Sequence, residues 1–273
     1  MNYFNRRRKQ TKRVLVTVIG GMLIVLSLII VYRISNIETN EISYKSEDKD
    51  LSSQMSTSDK LNEILSNKDI YPESLIELAE KKSETIDFVY NYATRDNGES
   101  TKQTGNFENK KGKFPLFIQW DERWGYEKYG DNFIAINGCG PTSLAMVAVG
   151  LTGNTDINPK SVADFSYENS YYVNGIGSSW ELMSEGAKQF GLKSKELPLD
   201  ESVILSTLRN GEPIIATMGP GEFTDSGHYI LLTGITDDGK IIVNDSDSKI
   251  RSEKKWDIDI FMKETKNLWK FSL

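Results

Sequence analysis

The sequence contains one cysteine and one histidine in 273 residues. A lone cysteine closes no internal disulfide. A structural zinc site takes four Cys or His ligands and a catalytic one usually three such residues, so one of each does not hold zinc. No EF-hand pattern offers an all-oxygen calcium site. The glycine-rich stretches "GIGSS" (175–179) and "GPGEF" (219–223) lack the preceding strand, following helix and lysine of a phosphate loop and read as ordinary loops. No metal and no cofactor is expected.

Basic charge is also scarce once the first 33 residues are set aside. Those residues hold seven Lys and Arg and no acid, which leaves 26 basic against 39 acidic side chains in residues 34–273, a balance of −13. A surface so acidic is a poor match for nucleic acid. With 38% apolar residues, 21 Gly and 7 Pro, the chain is not of low complexity and can bury one good-sized core.

The first feature present is at the N-terminus. Arg6, Arg7, Arg8, Lys9, Lys12 and Arg13 precede an uncharged run from Val14 to Tyr32, about the length a helix needs to cross a bilayer. The excess of Lys and Arg before the run puts residues 1–13 in the cytoplasm and the remainder outside. The apolar run continues into "VYRISNIE" without a small-residue cleavage site, so it reads as an uncleaved anchor over 14–32 rather than a signal peptide. Residues 33–69, with "SYKSEDKDLSSQMSTSDK" at their centre, read as a polar linker too poor in apolar residues to order itself.

In the next segment, 70–112, Pro72 stands at a plausible first helical position, and Leu75, Ile76, Leu78 and Ala79 recur at near-helical spacing. Ser83 offers an N-cap for a second helix carrying Ile86, Phe88, Val89 and Tyr92. Two short helices docked on the main domain are predicted, followed by a polar loop. The domain itself, 113–273, opens with a predicted short strand, "KFPLFIQW". "GPTSLAMVAVGL" predicts a helix apolar on nearly all sides, ended by Gly150 or Gly153. "SSWELMSEGAKQFG" and "DESVILSTLRNG" predict two more helices. "PIIATM", "HYILLTGI" and "KIIVND" then read as strands, the last two joined by the hairpin signal "TDDGK". Helices first and antiparallel strands afterwards make an α+β fold.

An unpaired thiol outside the cell is open to oxidation, so Cys139 needs a reason to be there. Buried packing is one. Its position favours another, because a helix start places partial positive charge beside the sulfur and favours the thiolate. The flanking Gly138 and Gly140 leave room for a substrate backbone, and Pro141 suits a first helical turn. The only available imidazole is His228, at the start of a predicted strand. A third group is needed to orient it, and the following strand ends in Asn244, Asp245 and Asp247.

With cysteine opening a helix, histidine opening a strand and an acid closing the next, the chain resembles the C39-like branch of the papain-like cysteine peptidases, related to the bacteriocin-leader peptidases. The matching stretches are "GCGPTSLAMV" (138–147), "SGHYILLTGI" (226–235) and "VNDS" (243–246), with "FIQWDERWG" (117–125) upstream. The resemblance implies a papain-like fold over about 114–273. It also implies a thiolate–imidazolium pair of Cys139 and His228, with Asp245 orienting the ring. Gln119 and the backbone N–H of Cys139 would form the oxyanion hole. Many relatives carry Pro after the acid where Ser246 stands, which leaves Asn244 as an alternative to Asp245. The leader peptidases are fused to an ATP-driven exporter, and this chain has no nucleotide-binding sequence, so their substrate does not transfer. The expected activity is that of a membrane-anchored extracellular cysteine peptidase acting on peptide or protein, cell-wall peptide included. A papain-like domain that binds without cutting is the alternative, as is a cell-wall amidase or acyltransferase using the same residues.

Overall fold

The computed structural model describes residues 55–95 and 112–273. The basic N-terminus, the 14–32 span, most of the 33–69 linker and most of the 96–111 loop lie outside the described residues. Among the described residues no helix is long and apolar enough to cross a membrane. Thr57–Leu273 forms one compact unit.

The unit begins inside what composition assigns to the linker. Residues Thr57–Ser66 form a helix, α1, because Leu61, Ile64 and Leu65 fall on one face and pack into a cluster that buries Ile64 completely. This corrects the expected linker boundary: tertiary contact stabilises a short helix that its polar composition alone does not. Helix α2 runs Glu73–Lys81, with Pro72 one position earlier than expected. Ser83 does not cap the next helix but starts a 3-10 turn, Ser83–Thr85, that leads into α3, Ile86–Asn91. Leu75, Ile76, Leu78, Phe88 and Val89 share their core cluster with Ile118, Trp120, Phe133 and Ala135.

The expected strand at 113–120 does not form. Its segment is irregular, with Pro115 unable to donate, and is fastened to the end of a later strand by single bonds such as Gln119 N–H to the Ser246 carbonyl at 2.7 Å. A small ladder follows, β1 (Lys128–Tyr129) with β2 (Asn132–Phe133), then the one-turn helix α4, Ile134–Asn137. Helix α5, Cys139–Thr152, is buried from Gly140 to Gly150 and stops at Gly153, which takes φ +76°. Helix α6, Pro159–Glu168, starts at a capping box between Asn158 and Ser161. A second small ladder, β3 (Tyr172–Val173) with β4 (Gly177–Ser178), precedes "SSWELMSEGAKQFG", which is not one helix. It is divided into α7, Glu181–Ser184, and a 3-10 stretch, Gly186–Phe190; Gly186 lies against Leu182 and Tyr171.

The remaining elements are β5 (Lys193–Glu196), α8 (Glu201–Arg209, capped by Asp200), β6 (Ile214–Met218), β7 (His228–Ile235), β8 (Ile241–Asp245), α9 (Lys249–Glu253), β9 (Lys255–Trp256), α10 (Ile258–Glu264) and β10 (Thr265–Ser272). The six strands from β5 onward form one antiparallel sheet in the order β5-β10-β6-β7-β8-β9. The α+β expectation therefore holds, with β7 and β8 joined by the hairpin expected at 236–240. Helix α5 lies on one side of this sheet in a cluster with Ile215, Leu231 and Trp269, while α8 and α10 pack with Ile214, Ile230, Leu232 and Val243 on the other.

Candidate active site

Cys139 is the first residue of α5, and it is partly exposed. The glycines beside it are required by the protein's own packing. A Cβ on Gly138 would overlap the Ile134 carbonyl oxygen, and one on Gly140 would overlap the Ser178 hydroxyl. Helix α5 is held against β7 by Ser143 Oγ donating to the Tyr229 carbonyl at 3.1 Å, so the thiol is fixed next to the start of that strand.

His228 opens β7, is 6% exposed, and turns Nε2 to Asp245 Oδ1 at 2.7 Å. In the β7–β8 register Ile230 lies opposite Asp245, so His228 is the diagonal neighbour of Asp245 on the same face. Asn244 is paired with Leu231 and points the other way, where its amide donates to the carbonyls of Phe114 and Pro115. Asp245, not Asn244, is thus the side chain bonded to the imidazole. Asp245 is completely buried and also accepts from Arg251 Nε at 2.5 Å and from the Asp247 N–H at 2.8 Å.

These contacts shape the proton affinities. Burial alone would raise the Cys139 pKa, but a hydrogen bond to His228, its charge, and the backbone N–H groups of Tyr229 and Gly140 outweigh it and hold the thiol below its ordinary value. Burial would lower His228, but the charge and hydrogen bond of Asp245, with Cys139 on the other side, raise it to about 9. Asp245 is depressed despite burial, through His228 and then Arg251. Because Nε2 is engaged with Asp245, Nδ1 is the ring nitrogen left for the thiol.

Gln119 is 4% exposed and meets the same cleft. Its amide nitrogen donates to the Ala135 carbonyl at 2.8 Å and makes only a 3.5 Å contact with that of Ile136. Ser246, the residue after Asp245, is fully buried and bridges Gln119 Oε1 and the Tyr229 carbonyl, each at 3.4 Å. Trp120 and Trp124 are buried beside it, with Trp120 Nε1 donating to the Asp247 carbonyl.

Cys139, His228 and Gln119 open into one cleft of about 760 Å³. One wall is the loop 221–227 before β7, held by Glu264, whose carboxylate accepts the Glu222 N–H at 2.8 Å. Another wall is α2, through Glu73, Glu77, Leu78, Lys81 and the following Lys82. Three contributors were not singled out in the sequence. Arg251 and Lys82 lie beside the acid, and Glu84 caps α9. No local spacing signals Lys82 and Glu84, which meet their partners across the fold, whereas Arg251 lies only six residues beyond Asp245. Among the described residues no cluster of His, Cys, Asp and Glu could hold a metal ion.

The sequence model of the Peptidase_C39 like family matches residues 111–271, more than half of the chain. The crystal structure of the peptidase domain of Streptococcus ComA, described as a bi-functional ABC transporter involved in a quorum sensing pathway, is similar at 22% identity and a TM-score of 0.39, covering 50% of this chain and 91% of that one. A likeness that loose says nothing about substrate. A comparison with curated proteins gives no match.

Proposed function

The chain belongs to the Peptidase_C39 like family, and on that premise we propose that it is a cysteine peptidase with Cys139 as nucleophile, His228 as general base and acid, and Asp245 as the group orienting His228. The observation that carries this reading is an imidazole bonded to a buried carboxylate that is itself charge-balanced by Arg251, opening into the same cleft as the Cys139 thiol. In the proposed step His228 Nδ1 holds the proton released by Cys139, and the thiolate attacks the substrate carbonyl carbon. The carbonyl oxygen takes up negative charge against the Cys139 N–H and the amide N–H of Gln119 not spent on Ala135. His228 then passes the proton to the leaving amine, and water resolves the thioester with the imidazole again as base.

The same proposal places this domain outside the cell on a single N-terminal anchor over 14–32, supported by the basic flank and the uncharged run. Peptide or protein close to the membrane is then the substrate class, with cell-wall peptide reachable from a short tether. The full chain and its Cys139→Ala variant, each incubated with peptide libraries and purified cell wall, test this. New N-termini with the first and none with the second are expected. Their absence from both would leave a peptide-binding domain, and products without a cut peptide bond would mean amide hydrolysis or acyl transfer elsewhere.

A further inference from the structure

Residues 57–95 lie outside the family match, yet they reach the centre of the site. Glu84 caps α9 from 164 residues away: its carboxylate accepts from the Ser248 hydroxyl, from the Lys249 N–H at 2.9 Å and from the Ile250 N–H at 3.1 Å. Helix α9 carries Arg251, and Arg251 holds Asp245. Lys82 forms an ion pair with Asp247 Oδ2. The same Asp247 oxygen takes a longer 3.4 Å contact from Arg251, while its other oxygen is buried without a hydrogen-bond partner. An unbroken line of charges therefore runs from Lys82 through Asp247, Arg251 and Asp245 to His228.

We propose that the helical segment 57–95 is a working part of the active site, in which Lys82 and Glu84 are positioning residues that keep Arg251 on Asp245. This rests on the reading of Cys139, His228 and Asp245 as the catalytic set. The physical reason is competition. Asp245 and Asp247 are both buried carboxylates within reach of one guanidinium, and the unfilled oxygen of Asp247 makes it a strong claimant. Lys82 neutralises Asp247 and so leaves Arg251 to Asp245. Glu84 fixes the first turn of α9 and with it the direction from which Arg251 reaches. Burial and then Arg251 push the Lys82 pKa down to about 8, against the pull of Asp245, Cys139 and Glu84.

A segment with this role is not a detachable pro-piece. Its core is continuous with Ile118, Trp120, Phe133 and Ala135 of the matched region, and α2 forms a wall of the cleft.

The test is the rate of Cys139 alkylation by iodoacetamide as a function of pH in the full chain, with urea unfolding measured alongside. Lys82→Met should shift the acid limb of the profile upward by about one pH unit, a roughly tenfold loss of rate on that limb. Lys82→Arg should restore it, as should neutralising the competitor in Lys82→Met/Asp247→Asn. Glu84→Gln, a milder change than truncation, should shift the profile in the same direction. A folded Lys82→Met protein whose rates stay within twofold of the parent at every pH overturns this inference alone. A parent profile indistinguishable from that of His228→Ala overturns the catalytic reading and this inference with it.

Discussion

Replacing Asp245 by Asn probes the site with almost no change in volume. The carboxylate accepts three donors, with the His228 ring N–H and the Asp247 N–H on Oδ1 and the Arg251 guanidinium on Oδ2. An amide has one oxygen to offer. If that oxygen keeps His228, the NH2 group faces the Arg251 N–H, donor against donor. If the amide turns over, its NH2 faces Nε2, and the ring must carry its proton on Nδ1, where it no longer serves as base toward the thiol. The lost charge is also the largest influence raising His228 from 6.5 to about 9. A return to the ordinary value corresponds to about 3 kcal/mol in the stability of the imidazolium, since one pKa unit is about 1.4 kcal/mol. We expect kcat/KM on a cleaved peptide to fall by about 10²–10⁴-fold, as found for loss of an orienting carboxylate elsewhere, with the acid limb of thiol alkylation shifted upward. Unfolding in urea should also show a loss of about 3–5 kcal/mol from the broken buried pair. A folded Asp245→Asn protein with kcat/KM within threefold of the parent and an unchanged alkylation profile would refute the reasoning.

The pH dependence of kcat/KM should be bell-shaped. The acid limb should lie below the ordinary thiol range because Cys139 is depressed, and the alkaline limb near 9 because activity is lost as the raised His228 gives up its proton. A profile rising steadily through pH 9 would contradict the ion pair. Gly140→Ala should destabilise the fold by about 1–3 kcal/mol through overlap with the Ser178 side chain and should slow alkylation, both measurable on one preparation. Leu75→Ala, at a fully buried position in the core shared by α2 and the matched region, should cost about 2–5 kcal/mol in urea unfolding.

The parts of the site legible in the sequence are those whose chemistry coincides with an element boundary. Cys139 starts a helix, His228 starts a strand and Asp245 ends the next one, and local patterns mark all three ends. The choice between Asn244 and Asp245 was not legible, since it depends on which face of β8 meets His228, a matter of register with β7. Helix α1 was hidden because only Leu61, Ile64 and Leu65 mark its face in a polar stretch. Strand β10 lies between β5 and β6 with a register shift between Thr265 and Asn267, which blurs its alternation. The strand expected at 113–120 failed for the reverse reason: its composition suits a strand, but Pro115 cannot donate and the segment's bonds to the end of β8 are single ones from Gln119 and the Asn244 side chain. Glu84 and Lys82 were invisible because their partners, Ser248 and Asp247, are about 165 residues away in sequence. The glycines beside the thiol stand out in the sequence, but the neighbours that require them, Ile134 and Ser178, are met only in the fold.

The central claim, that Cys139 is an activated nucleophile paired with His228, is tested most directly by its alkylation with iodoacetamide at mildly acidic pH. The parent protein should react much faster than a free-thiol standard there, and His228→Ala should remove the advantage. A Cys139 that reacts no faster than the standard, with no slowing on loss of His228, would contradict it.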